Sequence, residues 1–331
     1  IHPLEICIYI AKQLMIKDVA LMQAALLHDV VEDTPVSIEE IRARFGNEVG
    51  DLVDALSKLG EEGFANATER NEENIRNLFA KMAEDPRVAI IKLVDRLHNM
   101  RTLGFVSPES QVRIAKETFK YFVPLAKILG IWTIKRELED LSFNYLYPDE
   151  YEKITKRLEI TSDKRHNHSK ALMSRIQKAI SGCCDSSPTC AVRNRTKYSL
   201  FEELQRGKYK NEKMLDRDTV RIIVNSKEDC YKVLNAVKMK LKVVEGTERD
   251  FIEQPKPNLY SAINITIDDE ELGFIRLTIR TKKMEIINEK GIVAWLFGQN
   301  RMVPVGDGDG SAEQLSARRK AKRTNRELNR S

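Results

Sequence analysis

The chain has 331 residues, of which 42% are hydrophobic and 32% are charged, with 55 Lys and Arg against 50 Asp and Glu. This length predicts about two globular domains. No apolar stretch is long enough to cross a membrane and no segment has the pattern of a signal peptide, which argues against a membrane-embedded or secreted protein and predicts a cytoplasmic one. The sequence begins without a methionine, and we expect further segments beyond both ends.

The excess of positive charge lies in the C-terminal segment. Residues 317–331 contain seven Lys and Arg and one Glu, whereas the rest of the chain is close to neutral. A basic run of this kind can contact RNA or an acidic surface, but a solvated tail or interdomain linker over residues 301–331 is the simpler interpretation. We expect no sequence-specific binding of DNA.

Residues 1–160 have the apolar periodicity of helices. Hydrophobic residues recur at intervals of three and four in EICIYIAKQL, VALMQAALLHDVV, EEIRARFGNEVGDLVDALSKL, VAIIKLVDRLHNM and ETFKYFVPLAKIL. This pattern predicts an all-α domain. The polar segment that follows, residues 161–192, is rich in Ser, Asn, Gly and Pro and is predicted to be a linker or hinge.

Residues 193–300 have a different pattern. The short β-branched runs TVRIIVN, AINITI and FIRLTIR surround the helical segment EDCYKVLNAVKMKL, which predicts a mixed sheet with helices. The five cysteines are odd in number and lack paired C-x-x-C spacing, so reduced thiols are expected. The protein is therefore predicted to be multidomain, with an all-α domain followed by an α+β domain.

The segment LLHDVVEDT, residues 26–34, places four ionisable groups at the end of an apolar run. On a helix, His28 and Glu32 lie on one face, and so do Asp29 and Asp33. Burying an unpaired charge costs several kcal/mol, which a bound metal ion would offset. One helix end can therefore present a nitrogen ligand and several carboxylates to a single site.

A second segment, RVAIIKLVDRLHNMRTL, contains a polar line on an otherwise apolar helix. Lys92, Asp95, Asn99 and Thr102 recur along it at three- and four-residue spacing. Alone, this line would be read as the solvent face of an amphipathic helix. Beside HDVVED, it is more simply interpreted as the other half of a metal site.

His2 completes a candidate ligand set with His28, Asp29 and Asp95. Mixed imidazole and carboxylate ligands suit Mn²⁺, Fe or Zn²⁺, and the sequence does not choose among them. His98, three residues after Asp95, is a further candidate on spacing alone.

These motifs resemble the hydrolase half of the RelA/SpoT homologue family. The matching elements are His2-Pro3, HDVVEDT, SKLG at 57–60, DRLHNMRTL at 95–103 and PLAKILGIWTIKRELEDLSF at 124–143. In the second half, RNRTKYSLFEEL, DRDTVRIIV, RDFIEQPKPNLYSAINITI and IRTKKMEIINEKGIVAWLF resemble the synthetase domain of that family. The resemblance covers nearly the whole chain, and the synthetase motifs are the more eroded.

The resemblance implies a helical His-Asp (HD-type) hydrolase that removes pyrophosphate from the 3′ position of ppGpp and pppGpp, typically with Mn²⁺. The implied metal ligands are His2, His28, Asp29 and Asp95, and the implied catalytic acids are Glu32 and Asp33. The implied substrate-binding residues are Asn99 and Thr102, with Lys58 and Arg76 as weaker candidates for which an ordinary surface role is the simpler interpretation.

The second half departs from the nucleotidyltransferase-like synthetase pattern where that reaction needs metal and phosphate contacts. Arg276 stands where the family has a Mg²⁺-binding Glu, and Glu203 stands where a Lys is expected. In the guanine-binding element, Leu259 and Asn264 replace a Gly and a His. The retained positions are Arg195, Lys197, Asp216, Lys256, Asn258 and Tyr260. We therefore expect an inactive synthetase-like domain, with Mg²⁺ needed only if it is active.

The favoured function is hydrolysis of (p)ppGpp in stringent-response control. The alternatives are a bifunctional synthetase and hydrolase, a phosphohydrolase of other nucleotides, and a non-catalytic alarmone sensor or ribosome-associated scaffold. The basic tail is the only support for the last. The expected partners are ppGpp and pppGpp, together with the ribosome or other regulatory domains contacted through a region beyond residue 331.

Overall fold

The structure is a computed structural model that describes residues 1–61, 84–160, 162–193, 195–205, 219–269 and 273–298. The predictions for Arg76, Asp216 and the basic segment 301–331 lie outside these residues. No helix in the described part of the chain is both long enough and apolar enough to cross a membrane.

The described residues of the first half form helices joined by short turns, which confirms the all-α prediction. The helices are α1 (His2–Tyr9), α2 (Val19–Leu27), α3 (Val30–Asp33), α4 (Ile38–Phe45), α5 (Asn47–Glu61), α6 (Pro86–Arg101), α7 (Pro108–Glu117), α8 (Val123–Ile128), α9 (Trp132–Leu146) and α10 (Pro148–Ile160). Wider π-helical turns continue α1 over Ile10–Leu14 and join α7 to α8 over Thr118–Phe122.

Side-chain caps define where several of these helices begin. Asp18 accepts a 2.7 Å hydrogen bond from the backbone N–H of Leu21 at the start of α2. Asp85 accepts one of 2.9 Å from the N–H of Arg87 at the start of α6, and Pro86 occupies the first turn of that helix. These caps set the registers of α2, which ends immediately before His28, and of α6, which carries Asp95.

Helix α6 is the centre of the first hydrophobic core. Eight of its apolar side chains are at most 2% exposed, namely Val88, Ala89, Ile90, Ile91, Leu93, Val94, Leu97 and Met100. A helix with apolar residues on most of its surface is stable only when other helices cover it. The polar line predicted on α6 lies on the part of the helix that this core leaves uncovered, with Lys92 and Asp95 half-buried and Asn99 and Thr102 exposed.

The second half contains a five-stranded mixed sheet, as predicted. Its strands are β1 (Thr189–Arg193), β2 (Thr219–Val224), β3 (Arg249–Asp250), β4 (Ile263–Asp269) and β5 (Gly273–Thr281), in the order β1-β2-β5-β4-β3. Strands β2 and β5 are parallel, and the other neighbours are antiparallel. The helices are α11 (Ser162–Ile180), α12 (Lys197–Gln205), α13 (Lys227–Lys240), α14 (Lys282–Lys290) and α15 (Ile292–Gly298).

The two faces of this sheet differ in polarity. Residues paired across neighbouring strands share a face, so the alternating Ile, Val and Leu residues of β2, β4 and β5 form one apolar face. That face packs with α11 and α13 in the second hydrophobic core. The opposite face carries Arg221, Arg276, Thr278 and Arg280, and Glu285 of α14 pairs with two of these arginines.

The predicted linker over residues 161–192 needs correction. Ser162–Ile180 is a helix, and its Leu172, Ile176 and Ile180 are at most 2% exposed in the core beneath the sheet. Thr189–Arg193 is an edge strand paired with β2. The apolar stripe of the helix is confined to its C-terminal turns. The polar residues at the start of the segment therefore led to the prediction of a linker.

The last helix of the second half packs against the first half. Val293 of α15 is 1% exposed within the core of the first half, and Phe297 packs against that core. The backbone N–H of Ile292 donates a 2.8 Å hydrogen bond to the carbonyl of Leu129. Residues Ile1–Phe297 pack as one unit, so the two sequence domains share a core at this point.

Gly291 permits this close contact between the halves. Its φ of 55° and ψ of −129° are accessible to glycine but strained for other residues. A Cβ atom here would lie 2.1 Å from the carbonyl oxygen of Leu129 and 2.6 Å from the Cα of Gly130. These neighbours are backbone atoms, so the overlap cannot be relieved by rotating a side chain.

We expect Gly291→Ala to lower the free energy of unfolding by about 3 kcal/mol or more, because it adds backbone overlap to an unfavourable conformation. Gly246→Ala is the matched control, since Gly246 also has a positive φ (70°) but has open space around its Cβ position. The control should cost about 1 kcal/mol. Urea unfolding followed by circular dichroism measures both, and equal midpoints for the two variants would contradict the proposed close contact.

Candidate metal centre

The four predicted ligands are carried by separate elements that meet at one point. His2 begins α1, His28 follows the last residue of α2, Asp29 precedes α3, and Asp95 lies on α6. The ligand atoms of His2, His28 and Asp29 all lie within 4.8 Å of one another. Asp95 Oδ1 is 3.1 Å from Nε2 of His2 and 4.0 Å from Nε2 of His28.

His28 has the hydrogen bonding expected of a metal ligand. Its side chain is fully buried, and its Nδ1–H donates a 3.0 Å hydrogen bond to the carbonyl of Ala25. This bond leaves the lone pair on Nε2. Nε2 is buried and has no hydrogen-bond partner among the described residues, although Oδ1 of Asp29 is only 2.9 Å away.

An unsatisfied buried nitrogen costs about 1–3 kcal/mol unless something binds it. The Nε2 atoms of two histidines and the oxygens of two carboxylates face one another here, which is a suitable donor set for a divalent transition metal. The residues present therefore fit a metal ion.

The charge state of Asp95 is compatible with this role. Burial by itself would raise the pKa of the Asp95 carboxyl, but the hydrogen bond from His2 and the nearby Lys92 outweigh it and hold that pKa below its ordinary value. The hydrogen bond to Asp95 correspondingly raises the pKa of His2. The carboxylate is thus ionised at neutral pH.

The acidic pair lies beside the ligands on the short helix α3. Both Glu32 and Asp33 are exposed. Burial of part of its carboxyl raises the pKa of Glu32, as do its acidic neighbours, while Lys92 and His28 act in the opposite direction. The continuous helix expected over HDVVED is interrupted at His28 and Asp29, but the N–H of Asp33 still donates a 2.9 Å hydrogen bond to the carbonyl of Asp29.

The predicted substrate-binding residues differ in their hydrogen-bond partners and in their contact with the metal centre. The Asn99 side chain donates a 2.9 Å hydrogen bond to Oδ1 of Asp95, which brings it to the metal centre. The Thr102 hydroxyl donates instead to helix carbonyls at the C-terminal end of α6. Lys58 forms a 2.7 Å ion pair with Asp54 one helical turn away.

One further residue contacts this centre. Nδ1 of His98 lies 2.8 Å from Nδ1 of His2, and the two rings meet edge to face. The three-residue spacing from Asp95 placed His98 near the site, but no local pattern indicated a contact between residues 96 positions apart.

Comparisons with known proteins match both halves. The description "HD domain" matches residues 2–132, and "Region found in RelA / SpoT proteins" matches residues 192–300. The chain belongs to the RelA/SpoT family.

A guanosine-3′,5′-bis(diphosphate) 3′-pyrophosphohydrolase of Aquifex aeolicus is 37% identical over 91% of this chain and 43% of its own length. A protein of Brucella ovis named GTP pyrophosphokinase rsh is 36% identical over 91% of this chain and 40% of its own length. The chain therefore spans less than half of each relative. Among solved structures, it is similar to small alarmone synthetase 1 of Bacillus subtilis, with a TM-score of 0.32 and 18% identity, over 54% of this chain and 96% of that one.

In the RelA/SpoT region, the retained basic residues are engaged within the protein. The Arg195 guanidinium pairs with Glu203, the residue that stands where the family pattern has a Lys. Nζ of Lys197 donates a 2.8 Å hydrogen bond to the hydroxyl of Tyr151. Lys256 lies over the ring of Phe251, with Nζ 4.4 Å from its centroid.

The segment predicted to correspond to the guanine-binding element contains one residue in a left-handed backbone conformation. Leu259, at the position of a family Gly, has a φ of 65°, which is strained for a leucine. Asn258 Oδ1 accepts a 3.4 Å hydrogen bond from the N–H of Tyr260, and the hydroxyl of Tyr260 donates one of 3.1 Å to Asn264.

Arg276 lies on the polar face of the sheet, opposite Thr219 of β2 and Thr266 of β4. Its side chain is exposed. The residue predicted to replace a metal-binding carboxylate is thus an exposed cation on this face.

We predict that Asp29→Ala and Asp95→Ala each lose bound Mn²⁺, because each removes a charged ligand from the centre. Equilibrium dialysis followed by elemental analysis measures the metal content. Asp51→Ala is the control, since Asp51 is an exposed carboxylate that pairs with Arg42 on the surface. Wild-type metal content in either ligand variant would overturn the assignment of that residue.

Proposed function

We propose that this protein hydrolyses the 3′-pyrophosphate of the guanosine alarmones ppGpp and pppGpp, releasing GDP or GTP and pyrophosphate. The observation that carries the proposal is the buried, unpartnered Nε2 of His28 beside His2, Asp29 and Asp95. The substrate class is supported by the name of the Aquifex relative, whose similarity extends over nearly all of this chain.

We propose Mn²⁺ as the ion, held by His2, His28, Asp29 and Asp95. When bound, such an ion supplies a Lewis acid for a phosphoryl oxygen and lowers the pKa of a coordinated water. The Nδ1–H bond of His28 to Ala25 keeps the ring oriented with its lone pair toward the centre. The Asn99 amide keeps Asp95 in place by donating to the same oxygen that faces His2.

The acidic pair supplies the proton-transfer groups of the proposed reaction. Glu32 and Asp33 are exposed on α3, directly after Asp29, so an attacking water at the centre and the incoming substrate can both reach them. A carboxylate in this position can orient the water and accept its proton. Lys92, whose charge acts on both Glu32 and Asp95, is a cation available to the diphosphate group of the substrate.

The second half is proposed to be inactive in alarmone synthesis. Pyrophosphate transfer depends on metal ions and cations that surround the phosphate groups. Arg276 adds a positive charge where Mg²⁺ would need a ligand, and the Arg195 cation is already paired with Glu203. Arg221 and Arg280 both pair with Glu285. These internal ion pairs compete with any incoming phosphate.

A bifunctional synthetase and hydrolase is the second candidate. The similarity to a Brucella protein named GTP pyrophosphokinase supports it, since that similarity includes the second half of the chain. The retained Tyr260 and Asn258 are compatible with nucleotide binding as well. The two candidates differ in one reaction, so a synthesis assay separates them.

We further propose that the protein acts in the cytoplasm as part of the stringent response. Contacts with the ribosome or with regulatory domains would involve the basic segment 301–331 or residues beyond it.

Incubation of the purified protein with ppGpp and Mn²⁺, with and without a chelator, tests the proposed hydrolysis through release of GDP and pyrophosphate. We predict that Glu32→Gln or Asp33→Asn slows turnover by about 10²-fold or more, as expected for loss of a proton-transfer group. Bound Mn²⁺ should stay at the wild-type level in both variants, in contrast to the ligand variants. Unchanged turnover in both would remove the acidic pair from the mechanism.

We predict no detectable ppGpp from ATP and GDP with Mg²⁺, even in an Asp95→Ala background that cannot hydrolyse the product. Arg276→Glu alone should not restore synthesis, because the Arg195–Glu203 pair and the altered guanine element still misplace the substrates. Chromatography of labelled nucleotides measures the product. Labelled ppGpp from the Asp95→Ala protein would establish the bifunctional candidate instead.

A further inference from the structure

His98 contacts a metal ligand without facing the metal centre itself. Its Nδ1 is 2.8 Å from Nδ1 of His2, on the side of the His2 ring opposite to the Nε2 atom that faces Asp95. The other nitrogen of His98 points toward Glu5, with 3.7 Å between Nε2 and Oε2. His98 is therefore adjacent to the ligand set without being part of it.

This contact restricts where the protons of the two rings can be. A histidine binds a metal through an unprotonated nitrogen, so metal binding through Nε2 of His2 requires the proton on Nδ1. That N–H would then donate to Nδ1 of His98, which leaves the proton of His98 on Nε2, toward Glu5. Both rings are neutral in this arrangement, and every nitrogen has a defined role.

The packing around the two rings makes the contact specific. The His98 side chain is 19% exposed, and its ring meets the His2 ring edge to face with 4.5 Å between centroids. His2 lies on the first turn of α1, where backbone N–H groups have no partner within the helix. Helix α6 is packed in the core and provides a rigid base for His98.

Resting on the metal-dependent function proposed above, we propose that His98 is a positioning residue for His2: by accepting from Nδ1–H it fixes the tautomer and orientation in which Nε2 binds the metal. Partners of this kind typically change metal affinity by about 10- to 100-fold when they are removed. His98 does not need to touch the substrate to have this effect.

The matched variants are His98→Asn and His98→Leu, whose side chains have the same number of heavy atoms and the same branching at Cγ. The Asn side chain retains an oxygen that can accept from His2, whereas Leu retains none. The measurements are the Mn²⁺ dissociation constant, by equilibrium dialysis, and the visible absorption bands of the Co²⁺-substituted protein, which report ligand geometry. Thermal unfolding in the presence of a chelator checks that both variants fold as the wild type does.

We expect His98→Leu to weaken Mn²⁺ binding by about 10- to 100-fold and to alter the Co²⁺ bands, while His98→Asn stays much closer to the wild type. His98→Phe is the second variant, for use if Leu does not fold or if water enters the space it leaves, because the Phe ring fills that space without accepting a hydrogen bond. Wild-type metal affinity and Co²⁺ bands in the folded Leu or Phe variant overturn the proposal. Equal weakening in Asn and Leu also overturns it, since ring packing would then explain the effect.

The metal-binding measurements distinguish a failure of the His98 proposal from a failure of the proposed ppGpp hydrolysis. If the wild type binds Mn²⁺ and the three variants follow the expected order, but ppGpp is not hydrolysed, then His98 positions His2 in a metal site that serves another substrate. If the wild type binds no Mn²⁺ or Co²⁺, both the metal centre and the role of His98 are overturned.

Discussion

The arrangement of the first half depends on the burial of His28. An imidazole that is fully buried, with Nδ1 donating to Ala25 and Nε2 without a partner, is unfavourable unless a ligand occupies the point that Nε2 faces. The remaining features of the centre are consequences of satisfying this group. The chain bends at Asp29 so that a carboxylate reaches the same point, and α6, buried on most of its surface, brings Asp95 to the opposite side.

Local spacing rules accounted for part of the predicted ligand set, and His2 was added without one. Helical spacing predicted that His28 lies near Glu32 and that Asp95 lies near Asn99. In the structure, Asn99 donates a 2.9 Å hydrogen bond to Asp95. The contact between His2 and His98 followed no such rule, since it depends on how the first turn of α1 packs against α6. Thr102, on the same polar line, donates its hydroxyl to carbonyls at the end of its own helix, and its role in substrate binding stays a prediction.

The fold of the second half was predicted less completely, for a different physical reason. Its central strands have strong β-branched patterns, whereas α11 begins with nine polar or charged residues before its apolar stripe starts. Composition identified that segment as a linker, but burial of Leu172, Ile176 and Ile180 stabilises it as a helix. The packing of α15 against the first half could not be predicted, because the apolar sequence of a helix does not specify which of two hydrophobic cores will bury it.

The two faces of the sheet explain how residues of the predicted synthetase site can be substituted while the fold is kept. The hydrophobic core lies on one face, and the eroded positions, Arg276 and the residues around Tyr260, lie outside it. Substitution of residues on the polar face therefore leaves the apolar packing intact. Leu259 has a left-handed backbone conformation, which is more suited to a glycine. Loss of the whole half would have a larger effect on the candidate metal centre. Val293 is buried in the core of the first half, and Nζ of Lys290 donates a 3.2 Å hydrogen bond to the carbonyl of Leu14, at the end of the helical segment that begins with His2. If the helical segment that carries His2 depends on the second half for packing, the second half is needed for the metal centre even without synthetase activity.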